Sequence, residues 1–222
     1  MIIAVISIAA LIMTCLMLFY NNYQAIKKET TIKNKLNILV VCKKSSLVTM
    51  LLGFVCCIAL GYVSYYKYNN NLEYTLKILF AYELMIPIAY VDYKKMIIPN
   101  KLLLVGLVGY IGFTLFEILY RGISYDFVLK YGFYGMLLGM GTFLLSYVFS
   151  KGSVGMGDIK LFGVLGLFFG WQGIFNIILF AIIGVVVYGC ILLVRKKINK
   201  KSAMPMGPFA YIGVAIAIML GV

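Results

Sequence analysis

The sequence predicts an all-α integral membrane protein, a polytopic helical bundle of about eight transmembrane helices with no soluble domain. Of its 222 residues, 64% are apolar and only seven are acidic, and its mean hydropathy is +1.01. Apolar runs of about 20 residues recur along the whole chain, and a helix of that length crosses roughly 30 Å of hydrocarbon. A chain of this composition leaves few places for a charged side chain, so each intramembrane acid is a candidate functional residue.

Eight apolar segments are long enough to be assigned as spans or parts of spans. The sixth is short for a full crossing, so we expect it to pack inside the protein or to extend beyond the assigned limits. The positive charges follow the first segment rather than precede it, which predicts an uncleaved helix with its amino end outside. In chain order, the predicted spans cover residues 2–20, 47–66, 72–91, 101–120, 127–149, 158–170, 173–194 and 205–222.

The distribution of basic residues predicts the orientation. Sixteen of the 20 Lys and Arg residues fall in the connections after spans one, three, five and seven. The positive-inside rule places those connections in the cytoplasm, and Asp92 and Asp158 fall on the same side. The net charge of +13 is dispersed over four short loops, so we expect contacts with membrane lipid and no nucleic-acid partner.

Asp92 and Asp158 are the two acids that the sequence singles out for chemistry. Taken separately, Asp158 could cap a helix and Asp92 could be an interfacial polar residue. Two carboxylates at one membrane depth repel each other unless they share a proton, and that is the working state of an aspartic protease. The chain has no His and no Ser or Cys nucleophile beside a base. The helix dipole would favour Asp158 as the carboxylate and Asp92 as the proton holder.

The residues before Asp158 form a glycine-rich stretch, 150–157, with the sequence Ser-Lys-Gly-Ser-Val-Gly-Met-Gly. Glycine permits positive φ angles and close backbone approach. Such a loop could hold an extended substrate by backbone hydrogen bonds, or it could be a plain turn between spans. Both interpretations stay open.

Other polar residues carry weaker signals. Glu83 lies nine residues before Asp92, about half a turn out of phase, so it should face away from the catalytic direction. Glu117 lies near the outer end of its span, where snorkelling to the interface is expected. Cys42 is the lone cysteine of the first cytoplasmic loop. With no His and no CxxC pair, the sequence predicts no metal site, and we expect no cofactor.

Three motifs together resemble the type IV prepilin peptidase and preflagellin peptidase family of GxGD-type aspartyl membrane proteases. The first is Asp92 followed by Ile-Pro-Asn at 98–100, the second is Gly-Met-Gly-Asp at 155–158 with Lys160, and the third is Gly-Pro-Phe at 207–209. The resemblance covers roughly 72–222, which it implies is a six-helix catalytic core, with 1–71 as two helices and a basic cytoplasmic loop.

The family resemblance implies an aspartic endopeptidase that cleaves the leaders of type IV prepilins, pseudopilins or related competence and secretion proteins. Cleavage would occur at the cytoplasmic face of the cell membrane, with Asp92 and Asp158 as the catalytic pair. The bifunctional bacterial members also carry paired CxxC motifs after the first span, and this chain does not, so the resemblance implies cleavage and leaves N-methylation open. The residues that the resemblance assigns to the substrate-binding or active-site loops are Pro99, Asn100, Gly155, Gly157, Lys160, Gly207 and Pro208.

Two alternatives remain from the sequence. A presenilin or signal-peptide-peptidase type of protease would place its aspartates on adjacent spans and add a Pro-Ala-Leu motif, whereas here two spans intervene and the motif is absent. A proton-coupled transporter would place acids near the bilayer midplane and show repeat symmetry. The sequence does not indicate an oligomeric state.

Overall fold

A computed structural model describes residues 44–67, 71–121, 125–149, 155–195 and 204–221 of the chain. Within these ranges the secondary structure is helical, with no strand, which confirms the predicted all-α class. The predicted first span, 2–20, and the loop containing Cys42 lie outside the described residues. The chain divides into two compact units, Met1–Glu83 and Leu84–Val222. The predicted domain border at residue 71 stays a prediction.

Six helices follow one another along the described residues. Four helical segments are long and apolar enough to cross a membrane, namely Leu72–Lys95, Asn100–Leu119, Val128–Phe149 and Met156–Val194, and Gly207–Leu220 is a shorter apolar helix. The count of eight spans therefore stays a prediction. The helices are α1 (Lys44–Lys67), α2 (Leu72–Lys95), α3 (Asn100–Arg121), α4 (Tyr125–Phe149), α5 (Met156–Val194) and α6 (Gly207–Leu220).

Helix α5 is interrupted at Gly170, which has φ 65° and ψ −171°. A Cβ atom built on Gly139 of α4 would lie 2.2 Å from the Phe162 carbonyl oxygen and 3.2 Å from Ile174 Cγ1. A straight helix would separate those two α5 residues by about 18 Å, so the chain reverses direction at Gly170. We call 156–169 the first arm of α5 and 171–194 the second arm.

The reversal at Gly170 depends on glycine. Its backbone conformation is one that residues with a side chain rarely adopt, and an added Cβ would lie 2.0 Å from the Tyr131 ring. The Tyr131 hydroxyl donates a hydrogen bond to the Phe169 carbonyl at 3.2 Å. This bond gives a partner to a carbonyl that the helix break would leave free.

The first arm of α5 packs inside the protein, as its short apolar length predicts. Phe162, Phe168 and Phe169 are buried, and Phe162 stacks on Phe143 of α4 with 4.1 Å between ring centroids. Paired glycines of the two helices allow close backbone contact, because a Cβ on Gly135 would lie 2.1 Å from the Gly166 carbonyl oxygen. Small residues at such crossings are typical of membrane helix pairs. This packing holds the amino end of the first arm, which carries Asp158.

Helix α6 packs against the second arm of α5. A Cβ built on Gly213 of α6 would lie 2.7 Å from the Ile177 carbonyl oxygen, and the Tyr188 and Phe209 rings lie 5.5 Å apart. The second arm runs back toward the end where the first arm begins. It therefore brings the amino end of α6 to the same end as Asp158.

Candidate active site

Asp92 lies in the last turn of α2 and is buried, with 4% of its surface exposed. Its Oδ2 atom accepts a hydrogen bond from the Gly207 backbone N–H at 2.7 Å, and the Met206 N–H adds a second favourable interaction. Backbone donors at a helix amino end stabilise a carboxylate and fix its orientation. The amino end of α6 therefore holds Asp92 in place.

Gly207 is the residue that permits this contact. A Cβ atom there would lie 3.0 Å from both Cβ and Oδ2 of Asp92, so any side chain would push the two elements apart. Pro208 follows at the start of α6, where its missing N–H costs no hydrogen bond and its fixed φ suits a helix. The predicted site residues Gly207 and Pro208 thus lie at the Asp92 carboxylate.

Asp158 is in the first turn of α5, whose N-cap is Gly155. The N-cap has no side chain of its own, and the Asp158 carboxylate interacts favourably with the Gly155 backbone N–H, as the capping role predicted from its sequence position allows. Its backbone N–H donates to the Gly155 carbonyl at 3.0 Å. The carboxylates of Asp158 and Asp92 lie close enough to act on each other electrostatically. The structure therefore brings the two predicted aspartates together.

The glycines before Asp158 are needed for close packing rather than for positive φ. Gly155 has an extended backbone, with φ −71° and ψ 136°, and among the described glycines only Gly170 and Gly221 have positive φ. A Cβ on Gly155 would lie 3.0 Å from Asp158 Oδ2, and one on Gly157 would lie 3.0 Å from Ile98 Cβ. Of the two properties that glycine permits, these positions use the close backbone approach and not the positive φ.

The Ile-Pro-Asn motif forms the connection from α2 to α3. Ile98 is buried and contacts the Gly157 backbone region, while the Pro99 carbonyl accepts the Leu102 N–H at 3.0 Å and begins α3. The Asn100 Oδ1 atom accepts a hydrogen bond from Lys160 Nζ at 3.4 Å. Asn100 and Lys160 therefore contact each other.

Both carboxylates lie at helix amino ends. Asp158 lies at the start of α5, its own helix. Asp92 contacts the start of α6, a helix more than a hundred residues later in the chain. From the sequence, only Asp158 is expected to lie at a helix amino end. Because α6 provides Asp92 with a comparable amino end, helix dipoles do not decide which carboxyl group holds the proton.

The other intramembrane acids lie elsewhere. Glu83 is beside the Cys57 thiol of α1. Glu117 is buried, with 7% exposed, so the expectation of snorkelling is wrong. It shares a helix face with Tyr110 and Thr114, and that face packs inward.

Among the described residues, no three His, Cys, Asp or Glu side chains lie together in a way that could hold a metal ion.

A sequence model of the type IV leader peptidase family matches residues 78–190, which contain both Asp92 and Asp158. The chain belongs to the type IV leader peptidase family. The resemblance inferred from the three motifs is thereby confirmed. The family match ends before α6. The contact between Gly207 and Asp92 is therefore known from the tertiary structure and not from this match.

Several curated proteins named prepilin leader peptidase/N-methyltransferase are similar to this member of the type IV leader peptidase family. The Pseudomonas putida protein is 27% identical over 186 residues, which cover 81% of this chain and 62% of that protein. The Bacillus subtilis (strain 168) protein is 28% identical over 158 residues, or 70% and 59%. The Aeromonas salmonicida (strain A449) protein is 25% identical over 148 residues, or 66% and 50%.

The aligned part of this chain thus spans between half and about three fifths of the length of these curated relatives. No solved structure matches the chain.

Proposed function

We propose that this protein is a membrane-embedded aspartic endopeptidase that removes leader peptides from type IV prepilins or prepilin-like proteins. The observation that carries the proposal is that Asp92 and Asp158 lie near each other. Gly207 contacts Asp92, and Gly155 contacts Asp158. Membership of the type IV leader peptidase family supports a peptidase, and the names of the similar proteins support a prepilin substrate.

The proposed chemistry is the hydrolysis of an amide by a pair of carboxyl groups. One ionised carboxylate removes a proton from water, and the water oxygen attacks the scissile carbonyl carbon while the protonated partner donates a hydrogen bond to the carbonyl oxygen. The C–N bond then breaks, and the departing amine takes up a proton from the pair. No covalent intermediate with the protein is formed.

The surroundings of Asp92 suit this chemistry. The Gly207 N–H donates to Oδ2 at 2.7 Å, and the Met206 N–H adds a second favourable interaction, so backbone donors hold the Asp92 carboxylate. An anchored carboxylate keeps its orientation without reorganising during the reaction, which is the general advantage of a preorganised site. The extended backbone at Gly155 supports the proposal that residues before Asp158 hydrogen-bond an extended substrate.

The proposed location of cleavage is the cytoplasmic face of the cell membrane. The excess of basic residues in the connections on the side of Asp92 and Asp158 supports this orientation. A leader presented from the cytoplasm would reach the pair without crossing the hydrocarbon region. N-methylation of the cleaved product is not part of the proposal.

The test is to express a candidate prepilin with the wild-type protein, with Asp92→Asn and with Asp158→Asn, and to follow the leader by gel mobility. We expect cleavage by the wild type and an intact leader with either variant. Asp126→Asn is the matched control, because Asp126 is an exposed acid that pairs with Lys130 at 3.5 Å. Normal processing by either active-site variant would contradict the proposal.

A further inference from the structure

A groove of about 350 Å³ lies between α3, α4 and the first arm of α5. This volume is at the lower end of the range for small-molecule sites in proteins. Its walls are almost entirely hydrocarbon, apart from Asn100 and Lys160 at one end. The large apolar side chains that line it are Leu103, Leu104, Leu107, Met136, Met140 and Leu167.

The groove opens on a surface that faces lipid. Leu104 is 64% exposed and Leu107 is 44% exposed, and both belong to a helix apolar enough to cross a membrane. Side chains of this kind on the outside of a transmembrane helix contact acyl chains rather than water. The apolar part of the groove therefore suits a hydrocarbon chain.

The polar end of the groove suits an anion. Lys160 Nζ donates to Asn100 Oδ1 at 3.4 Å, and in the part of the chain that the structure describes Lys160 forms no ion pair. Its charge therefore has no ion-pair partner among the described residues at this end of the groove. A ligand that complements both parts has a hydrocarbon chain and a negatively charged head.

This groove is separate from the carboxylate pair. Lys160 follows Asp158 by two positions, which turns its side chain by about 200° around the helix. Asp158 lies toward Asp92, whereas Lys160 lies toward Asn100 and α3. Neither Asn100 nor Lys160 takes part in the proposed amide hydrolysis, so that reaction leaves their contact unexplained.

We propose that this groove is a binding site for one anionic phospholipid, with an acyl chain along Leu104 and Leu107 and the headgroup phosphate at Lys160. The Lys160 ammonium donates to a phosphate oxygen, and the Asn100 amide group contributes a second donor. This inference does not rest on the proposed peptidase activity, because it uses a different face of α5 and a different set of side chains.

The test is lipid retention by the full-length chain in detergent, measured by native mass spectrometry with dioleoyl phosphatidylglycerol or dioleoyl phosphatidylcholine. The two lipids have the same acyl chains and differ in headgroup charge. We expect the wild type to retain phosphatidylglycerol in preference to phosphatidylcholine. Lys160→Gln should weaken phosphatidylglycerol retention about fivefold, the factor that corresponds to about 1 kcal/mol for one lysine at an anionic surface.

Lys101→Gln is the matched control, because Lys101 is an exposed lysine next to Asn100 that does not line the groove. It should retain phosphatidylglycerol like the wild type. Equal losses in Lys101→Gln and Lys160→Gln would mean general surface attraction and would overturn the proposal. Equal retention of the two lipids by the wild type would overturn it as well.

A second variant tests the apolar part of the site. Leu107→Trp should fill the groove and reduce phosphatidylglycerol retention, and it leaves the lysines in place if Lys160→Gln does not fold. Unchanged retention in Leu107→Trp would overturn the proposal. Displacement of the lipid by an excess of a prepilin leader peptide would assign the groove to substrate instead, which would also overturn it.

Discussion

Asp92 and Glu83 lie nine residues apart on one helix, α2, and are equally buried, each with 4% of its surface exposed. Their partners differ. The Asp92 carboxylate accepts the Gly207 N–H at 2.7 Å. Neither carboxyl oxygen of Glu83 has a hydrogen-bond partner among the described residues, although the Cys57 thiol lies beside it.

This difference in hydrogen-bond donors distinguishes Asp92, the proposed catalytic acid, from Glu83, which is buried without such donors. An ionised carboxylate without a partner is costly to bury, so a side chain like Glu83 is stable there in its neutral form. Backbone donors at Asp92 compensate part of that cost, so this residue can be buried and still carry charge when chemistry requires it. Burial alone is therefore a poor marker of a catalytic acid, and hydrogen-bond donors are a better one.

The largest expected effect is the difference in activity between Asp92→Asn and Glu83→Gln. Removing a catalytic acid or base typically costs about 10²- to 10⁴-fold in rate, so Asp92→Asn should abolish visible leader cleavage. Glu83→Gln replaces a neutral carboxyl with an amide of the same shape and should leave the cleavage rate within about twofold. Initial rates on a purified prepilin measure both. If Glu83→Gln is as inactive as Asp92→Asn, the proposed difference in role between Asp92 and Glu83 is contradicted.

The next effect concerns the donor to Asp92. Gly207→Ala places a Cβ 3.0 Å from the Asp92 carboxylate, which should displace Asp92 and lower the cleavage rate roughly 10- to 100-fold, as misplaced catalytic groups do. Gly112→Ala is the control, since a Cβ there has no neighbour within 4 Å. If both alanine variants cleave like the wild type, the contact with α6 has no functional role.

Stability should respond in opposite directions at the two acids. Asp92→Leu removes the acceptor of a buried N–H and should destabilise the protein by about 1–3 kcal/mol. Glu83→Met replaces an acid that lacks a hydrogen bond by an apolar side chain of similar size and should be neutral or stabilising by up to about 1 kcal/mol. Thermal unfolding in one detergent, followed by circular dichroism, compares them. Destabilisation by Glu83→Met would show that Glu83 has an essential partner.

The smallest expected effect is at the end of the Asp92 helix. Met96 has φ 52°, and its N–H donates to the Asp92 carbonyl at 2.7 Å. Glycine adopts this left-handed conformation without the steric cost of a side chain. Because Met96 is exposed, Met96→Gly should lose little packing and stabilise the protein by up to about 1 kcal/mol. A lower unfolding temperature would contradict this account.

The amino-acid sequence predicted much of the fold, because hydrocarbon length and glycine position are local properties. The predicted helix limits within the described residues lie within about four residues of the observed ends. The border between the sixth and seventh predicted spans coincides with the reversal at Gly170. The prediction for Glu117 failed because a position near a helix end does not reveal whether that face of the helix packs inward.

By itself the sequence determined the helical class and the family and singled out the two aspartates as candidates, since apolar length, rare acids and short motifs can be recognised without knowledge of contacts. Tertiary structure decided which groups meet. The α6 amino end reaches Asp92 across a sequence separation of 115 residues, Ile98 leaves little space for a side chain at position 157, and Lys160 contacts Asn100. Such contacts depend on how helices distant in the chain pack together, and no local pattern encodes that packing.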